Sequence, residues 1–209
     1  METRNGAPEP IEFWFDFSST YSYLAVMRIE ALAAGAGVDI LWRPFLLGPI
    51  FRDLGSNTSP FLLQAEKGRY MWTDLRRRAG KYGFDFKLPS IFPRSALLPM
   101  RVALLASSEP WIGSFCRRVM VQNFVDDLNI GQLDNTRLAL DGLAPDPDAF
   151  MAAAQGEDIK ARLRAQTDEA RMRGIFGAPT FFIGEDLFWG DDRLEDALEF
   201  AALAAWRRP

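Results

Sequence analysis

The chain has 209 residues, 48% of them hydrophobic and 25% charged, which is the composition of an ordinary soluble globular protein with one ample core. Its net charge of -4 leaves no basic excess, so we expect neither nucleic acid nor a membrane surface as a partner. The sequence has no histidine and one cysteine, which excludes histidine-dependent nucleophilic catalysis, internal disulfides and C-x-x-C redox pairs. That cysteine, Cys116, lies in the apolar run 112–121, which indicates a buried structural thiol.

The first ten residues are polar and include two prolines, a pattern unlike that of a secretory signal peptide. No stretch of the sequence reaches the ~18 uncharged apolar residues that a membrane-spanning helix needs. We therefore expect the protein to be cytoplasmic.

The chain opens with a β-α-β pattern. Residues 11–17 are densely aromatic and predict a strand. Apolar residues at helical spacing from Tyr21 to Leu32 predict a helix that ends at residues 35–37, and residues 38–42 predict a second strand. A strand–helix–strand order implies a parallel pair of strands with a right-handed crossover.

Helical periodicity dominates from about residue 44 to 174, where prolines separate the periodic segments. The predicted helices span residues 60–82, 95–107, 110–127, 134–141, 146–154 and 156–173. The run Arg76–Arg78 is expected to be a solvated helix face. Strands at 179–183 and 187–189 form a predicted hairpin, and the last predicted helix runs from residue 191 to about 206.

This order of elements predicts an α/β protein with a thioredoxin fold that is interrupted by an inserted all-α subdomain. Residues 8–46 and 174–209 would form the discontinuous thioredoxin-like domain, and residues 47–173 would form the helical insertion.

Four hydroxyl side chains crowd the segment between the first strand and the first helix, at Ser18, Ser19, Thr20 and Ser22. In open α/β sheets, ligands collect at this position, because helix N-termini present free N–H groups there. One hydroxyl would serve as the N-cap of the helix, but a cap needs only one. Capping and ligand binding therefore both stay open on these residues alone.

The pattern F-D-F-x-S-x-Y-S-Y-L-A at residues 15–25 resembles the opening of the 2-hydroxychromene-2-carboxylate isomerases and of the related kappa-class glutathione transferases. The resemblance continues through WRPFLLGPIF at 42–51, KGRYM at 67–71 and FGAPTFFIGEDLFWGDDRLE at 176–195. Matching order and spacing in four blocks make the resemblance specific. It implies the same thioredoxin fold, with serines where thioredoxin-like oxidoreductases carry C-x-x-C.

Two positions depart from the family pattern. Thr20 stands where the family usually has proline, and Asp191 stands where it has a neutral polar residue. The second departure adds a carboxylate to the corner where the family binds the γ-glutamyl group of glutathione.

The resemblance implies a glutathione site with Ser19 as the catalytic residue. A serine hydroxyl can donate a hydrogen bond to the glutathione thiolate without being trapped as a mixed disulfide. The positions that match the family's glutathione contacts are Asn57, Lys67, Ala178, Pro179, Asp191, Asp192 and Arg193. Pro179 is expected to follow a cis peptide bond, with an ordinary strand-entry proline as the alternative. For the acidic residues before the last helix, the alternative is a capping box with Glu195.

The function that the resemblance implies is glutathione-dependent isomerisation between 2-hydroxychromene-2-carboxylate and trans-o-hydroxybenzylidenepyruvate in naphthalene-type catabolism. The implied partners are glutathione, a small aromatic carboxylate and a second copy of the chain in a homodimer. Candidates for an aromatic pocket are Trp42, Phe45, Phe51, Trp72, Phe188 and Trp189, and candidates for the carboxylate partner, by type only, are Arg43, Arg69 and Arg94. A kappa-class-like glutathione transferase and a non-catalytic thioredoxin-like binding module are the alternatives. A disulfide oxidoreductase is excluded, because both redox sulfurs are missing.

Overall fold

A computed structural model describes residues 8–56 and 58–207, and in it four strands form one mixed sheet. The strands are β1 (Ile11–Phe15), β2 (Ile40–Pro44), β3 (Thr180–Ile183) and β4 (Asp186–Trp189), in the order β2-β1-β3-β4. β1 and β2 are parallel, whereas β3 is antiparallel to both β1 and β4. The predicted β-α-β opening and the predicted hairpin are therefore both confirmed.

Eleven α-helices accompany the sheet in the described part of the chain. They are α1 (Thr20–Val26), α2 (Ile29–Ala36), α3 (Leu47–Asp53), α4 (Pro60–Leu63), α5 (Ala65–Tyr82), α6 (Leu97–Leu105), α7 (Ile112–Phe124), α8 (Leu133–Leu140), α9 (Pro147–Ala153), α10 (Glu157–Met172) and α11 (Leu194–Arg207). A 3-10 turn, Asp191–Arg193, precedes α11. The helices α3 to α10 all lie between β2 and β3, so the thioredoxin fold with an all-α insertion is confirmed.

Two predicted helices are each divided in the structure, and one helix was not predicted. The first predicted helix is broken between α1 and α2, where the N–H of Arg28 bonds to Ala25 three residues back and its side chain turns into the protein. The helix predicted over 60–82 is divided at Gln64, whose backbone is extended. Helix α3 was missed because Pro49 was interpreted as a break, although the first turn of a helix tolerates proline.

The sheet has a buried core on both faces. Phe13 and Phe15 of β1 point to one face, where they join the main cluster of buried side chains, and Trp14 points to the other. Phe13 stacks against Phe181 of β3, with ring centroids 5.4 Å apart. Because successive strand residues alternate between the faces, the consecutive buried aromatic residues 13–15 fit a sheet that is covered on both sides.

The helical insertion shares this core rather than having its own. The main buried cluster includes sheet residues together with Phe115 and Met120 of α7 and Leu163 of α10. Cys116 belongs to the same cluster and is fully buried, as predicted, and its burial raises the pKa of its thiol. We propose that residues 47–173 are a structural insertion rather than an independently folding unit. None of the described helices is both long and apolar enough to cross a membrane.

Helices α4 and α5 meet closely at Gly68. A β-carbon there would lie 2.3 Å from the carbonyl oxygen of Phe61, whereas one at Gly80 of the same helix would meet nothing within 4 Å. We expect Gly68→Ala to lower the free energy of unfolding, because overpacking costs about 1–3 kcal/mol. We expect Gly80→Ala to raise it by about 0.5–1 kcal/mol. Urea unfolding of both variants measures the difference. If both substitutions raise the free energy of unfolding, α4 moves away from a β-carbon at residue 68 without cost and the prediction is wrong.

Candidate active site

A cavity of about 820 Å³ opens at the edge of the sheet where β1, β2 and β4 end and β3 begins. Its walls come from the β1–α1 junction, α3, α4, α5, the loop 92–95, the segment before β3 and the 3-10 turn. The parallel pair β1 and β2 places the starts of α1 and α3 side by side at this edge. Segments far apart in sequence therefore converge on one site.

Ser19 lies at the floor of the cavity as the N-cap of α1. Its Oγ accepts the backbone N–H of Ser22 at 3.1 Å and donates to the carbonyl oxygen of Ala178 at 2.9 Å. The residue is 8% exposed. The Ser19 hydroxyl thus caps α1 and joins it to the segment before β3. Ser19 is therefore both the N-cap and a cavity residue.

The neighbouring hydroxyls have different surroundings. Ser18 donates to the carbonyl oxygen of Arg94 at 2.8 Å and lines the cavity, and Thr20 Oγ1 lies 3.4 Å from the sulfur of Met71. Ser22 is fully buried, does not line the cavity, and its hydroxyl finds no partner among the described residues. Since threonine has the N–H that proline lacks, Thr20 adds a donor to the first turn of α1.

Asp16 holds the β1–α1 junction against α3. Its carboxylate oxygens accept the backbone N–H groups of Ser18 at 2.7 Å and Leu47 at 2.8 Å. Burial raises the pKa of this carboxyl, and the two hydrogen bonds oppose that rise. Asp16 was not among the predicted site residues, although a carboxylate between Phe15 and Phe17 at a strand end is a signal visible in the sequence.

The peptide bond between Ala178 and Pro179 is cis, as predicted. The carbonyl oxygen of Pro179 accepts the N–H of Gly190 at 3.0 Å, which ties this segment to the 3-10 turn. The indole of Trp189 lies over Gly177, where a β-carbon would be 2.4 Å from the indole nitrogen. The aromatic wall beside Ala178 therefore depends on glycine at this position.

Asp191 is buried in an ion network rather than projecting as a free carboxylate. Its Oδ2 accepts from Arg78 Nη2 at 2.8 Å and Nε at 3.1 Å, and Arg28 Nη2 lies 3.8 Å away. Arg28 also donates to the backbone carbonyl of Asp191 and pairs with Glu195. Burial raises the pKa of Asp191 to about 6, against the opposing effect of Arg78. The alternative prediction of a capping box with Glu195 was wrong, because the Glu195 carboxylate forms an ion pair with Arg28.

The other residues matched to glutathione contacts lie at or near the same cavity. Lys67 and Asp192 line it and are exposed, whereas Arg193 does not line it and pairs with Asp192 and Asp196. Asn57 lies outside the described residues. Ala178, Asp191 and Ser19 line the cavity with them, whereas Pro179, the next residue after Ala178, does not. Their roles toward glutathione stay predictions.

Most of the aromatic candidates are core residues. Only Phe51 and Trp189 of the six line the cavity. The other four pack elsewhere: Trp42 and Phe45 in the two core clusters, Trp72 against Phe86 and Phe92, and Phe188 against Phe200. The further aromatic lining residues, which the sequence did not single out, are Tyr21, Phe61, Tyr70, Phe92 and Phe176.

The arginine candidates are engaged with other groups. Arg43 pairs with Glu12, and Arg69 pairs with Glu66 at the surface. The buried guanidinium of Arg94 bonds to Asn123 and Asp127. The three arginines are therefore poorly placed to receive a substrate carboxylate in the cavity.

The fold and the Ser19–Ala178 corner are those of a thioredoxin-like protein, and residues 10–201 match the family model of the DSBA-like thioredoxin domain. The chain belongs to this family, within the group that holds the 2-hydroxychromene-2-carboxylate isomerases and the kappa-class glutathione transferases.

Similar proteins cover nearly the whole chain. The 2-hydroxychromene-2-carboxylate isomerase of Sphingobium xenophagum is 31% identical over 191 residues, which cover 88% of this chain and 94% of that protein. The glutathione S-transferase kappa 2 of Caenorhabditis elegans is 26% identical, with coverages of 92% and 91%. A solved structure of a 2-hydroxychromene-2-carboxylate isomerase superposes with a TM-score of 0.83 at 26% identity, covering 94% of this chain and 96% of that one.

Proposed function

We propose that the protein is a glutathione-dependent isomerase that interconverts 2-hydroxychromene-2-carboxylate and trans-o-hydroxybenzylidenepyruvate in naphthalene-type aromatic catabolism. The observation that carries the proposal is the Ser19 hydroxyl, which takes the place of a redox cysteine at the floor of an aromatic-lined cavity beside Ala178 and a cis Pro179. A homodimer, which the family resemblance implies, and a cytoplasmic location, which is expected from the sequence pattern, are also part of the proposal.

The residues around the cavity fit a γ-glutamyl tripeptide in their donor and acceptor chemistry. Asp192 offers an exposed carboxylate to an ammonium group, and Lys67 offers an exposed ammonium to a carboxylate. Glycine at position 190 permits this position of the Asp192 carboxylate. The φ of Gly190 is +108°, and a β-carbon there would lie 2.5 Å from Asp192 Oδ1. The carbonyl of Ala178 has a second lone pair for a peptide N–H besides the one that Ser19 uses.

When bound, glutathione would supply a thiolate that adds reversibly to the substrate's double bond and so permits rotation about it. In this proposal Ser19 supplies the hydrogen bond that stabilises the thiolate. Its Oγ is fixed by the N–H of Ser22, while its own proton can turn from Ala178 toward an anion by rotation of the hydroxyl. The aromatic walls, including Phe51 and Trp189, offer stacking surfaces to an aromatic ring.

The test is turnover of trans-o-hydroxybenzylidenepyruvate with glutathione at a small fraction of the substrate concentration. We expect isomerisation to reach equilibrium while the total glutathione thiol stays constant. Loss of one thiol per substrate molecule would instead favour the transferase, which the kappa-class relatives also support. If the protein neither turns over the substrate nor binds glutathione, the non-catalytic binding module is the function that remains.

The glutathione corner is tested by Asp192→Asn, measured by glutathione titration and by thermal unfolding with and without glutathione. We expect glutathione affinity to fall roughly two- to fivefold, as for a half-exposed charge pair. The melting temperature without glutathione should hardly change, because asparagine replaces aspartate well at helix starts. Asp196→Asn is the control, since Asp196 also pairs with Arg193 but does not line the cavity. Equal losses in both variants would contradict a direct contact.

A further inference from the structure

If the proposed function holds, the cavity must receive three carboxylates, because glutathione brings two, at its γ-glutamyl and glycyl ends, and the aromatic substrate brings a third. In the described part of the chain, four cationic side chains line the cavity: Arg52, Lys67, Arg78 and Arg94. Arg78 is paired with Asp191, and Arg94 is held by Asp127 and Asn123. Two cations are therefore available, Lys67 and Arg52, and the family resemblance assigns only Lys67 to glutathione.

Arg52 lies against the cavity wall, although it is solvent-exposed. Its Nη1 is 3.8 Å from the position of a β-carbon on Gly48, so the guanidinium folds back along its own helix α3. Gly48 lines the cavity, as do Phe51 and Arg52. No ion pair or side-chain hydrogen bond joins Arg52 to another residue that the structure describes. Among the described residues, none therefore occupies its five N–H donors, which can bind a ligand.

The sheet order places Arg52 and the γ-glutamyl corner on opposite sides of Ser19. Arg52 follows β2, Ser19 follows β1, and Asp192 follows β4, while the strand order is β2-β1-β3-β4. Since neighbouring strands are ~4.8 Å apart, the two outer strands are separated by about 14 Å. The acidic residues Asp191 and Asp192 thus lie at one end of the cavity, and the guanidinium of Arg52 lies at the other.

We propose that Arg52 binds the carboxylate of the second substrate, with the aromatic ring of that substrate against Phe51. This assignment rests on the proposed function. It implies that the substrate is an aryl compound whose carboxylate binds on the α3 side of the glutathione thiol. A guanidinium suits this task because it holds a carboxylate through two parallel hydrogen bonds. The glycyl carboxylate of glutathione has the same chemistry, so the experiment must separate these two anions.

The experiment uses two unreactive probes, benzylpyruvate and benzylacetone, which share the arylalkyl ketone and differ in the carboxylate. Both are titrated calorimetrically into protein saturated with glutathione. For Arg52→Gln we expect benzylpyruvate to bind about tenfold more weakly and benzylacetone to bind as it does to the wild type. Arg52→Lys should recover part of the loss. Arg76→Gln removes an arginine from the face of α5 opposite the cavity and should change neither affinity.

Glutathione titration of the same variants distinguishes the other outcomes. If Arg52→Gln weakens glutathione and leaves benzylpyruvate unchanged, Arg52 binds the glycyl carboxylate and the proposal is overturned. Equal losses for benzylpyruvate and benzylacetone would mean that Arg52 only shapes α3, which also overturns it. If the wild type binds no glutathione, the proposed function fails, while the benzylpyruvate arm still decides the role of Arg52.

Discussion

Replacing Ser19 with alanine is expected to raise the pKa of the bound glutathione thiol by about one to two units and to lower the rate near neutral pH by roughly ten- to a hundredfold. In the proposed site the Ser19 hydroxyl turns from the carbonyl oxygen of Ala178 to donate to the glutathione thiolate. A charge-assisted hydrogen bond of this kind is worth on the order of 1.5–3 kcal/mol. Ultraviolet titration of the thiolate in wild-type and variant complexes measures the shift directly.

The structure gives Ser19→Ala a structural cost that must be separated from this effect. The same oxygen accepts the N–H of Ser22, so its removal should also lower the free energy of unfolding by about 1 kcal/mol. Ser18→Ala is the matched control, because Ser18 lines the cavity but bonds to Arg94 instead of capping α1. If the pKa of the bound glutathione thiol is the same in the wild type and in Ser19→Ala, Ser19 does not stabilise the thiolate and serves only as the N-cap and the link to Ala178.

The fold was predictable because its signals are local. The aromatic strand β1, the helical spacing after Tyr21 and the hairpin turn each occupy a few consecutive residues. The order of these elements then left few topologies, and the thioredoxin fold was the one that matched. Helix α3 was missed for an equally local reason, because Pro49 is compatible with a first turn as well as with a break.

The corner around Asp191 was not predictable, because its partners are remote in sequence. Arg78 precedes Asp191 by 113 positions and Arg28 precedes Glu195 by 167. Arg76, Arg77 and Arg78 form one run with identical local chemistry, and only the packing of α5 turns the third of them inward while the first two stay exposed. The prediction of a solvated face was therefore wrong for Arg78 alone.

The same limit applies to the cavity walls. Trp42 and Trp189 are both tryptophans in strands, yet Trp42 is buried in the core and Trp189 is 51% exposed at the cavity. Both tryptophans lie in edge strands, but helices α6 and α10 pack against β2, whereas Trp189 ends β4 beside Gly177. Residue type and spacing cannot separate these cases, because the difference comes from which helices cover each strand.

Removing the Arg78 side chain should be the most destabilising single change in this corner. Arg78→Met keeps the apolar stem but leaves the Asp191 carboxylate, 2% exposed, with only Arg28 nearby at 3.8 Å. Breaking a buried pair from one side costs about 3–5 kcal/mol, and we expect the low end of that range, about 3 kcal/mol near pH 8, because Arg28 remains. Urea unfolding measures the loss, and Arg76→Met on the exposed face of α5 is the control.

The pH dependence of that loss identifies Asp191 as its cause. The pKa of Asp191 in the folded protein, about 6, lies above its ordinary value near 3.9, so between these values the folded state binds more protons than the unfolded state. The contribution of this carboxyl to stability is therefore complete below about pH 4 and declines as the pH rises through 6. Without Arg78 the pKa should rise further, because the nearest positive charge is gone.

We accordingly expect Arg78→Met to cost much less near pH 5.5 than near pH 8, since a protonated Asp191 no longer needs the guanidinium. Adding Asp191→Asn to Arg78→Met should restore most of the stability near pH 8, because the buried charge is then absent at every pH. The single variant Asp191→Asn should gain relative to the wild type between about pH 4 and 7, by at most about 3 kcal/mol. A loss in Arg78→Met that stays constant with pH and is not relieved by Asp191→Asn would show that Arg78 acts through packing against Tyr82 instead of through its charge.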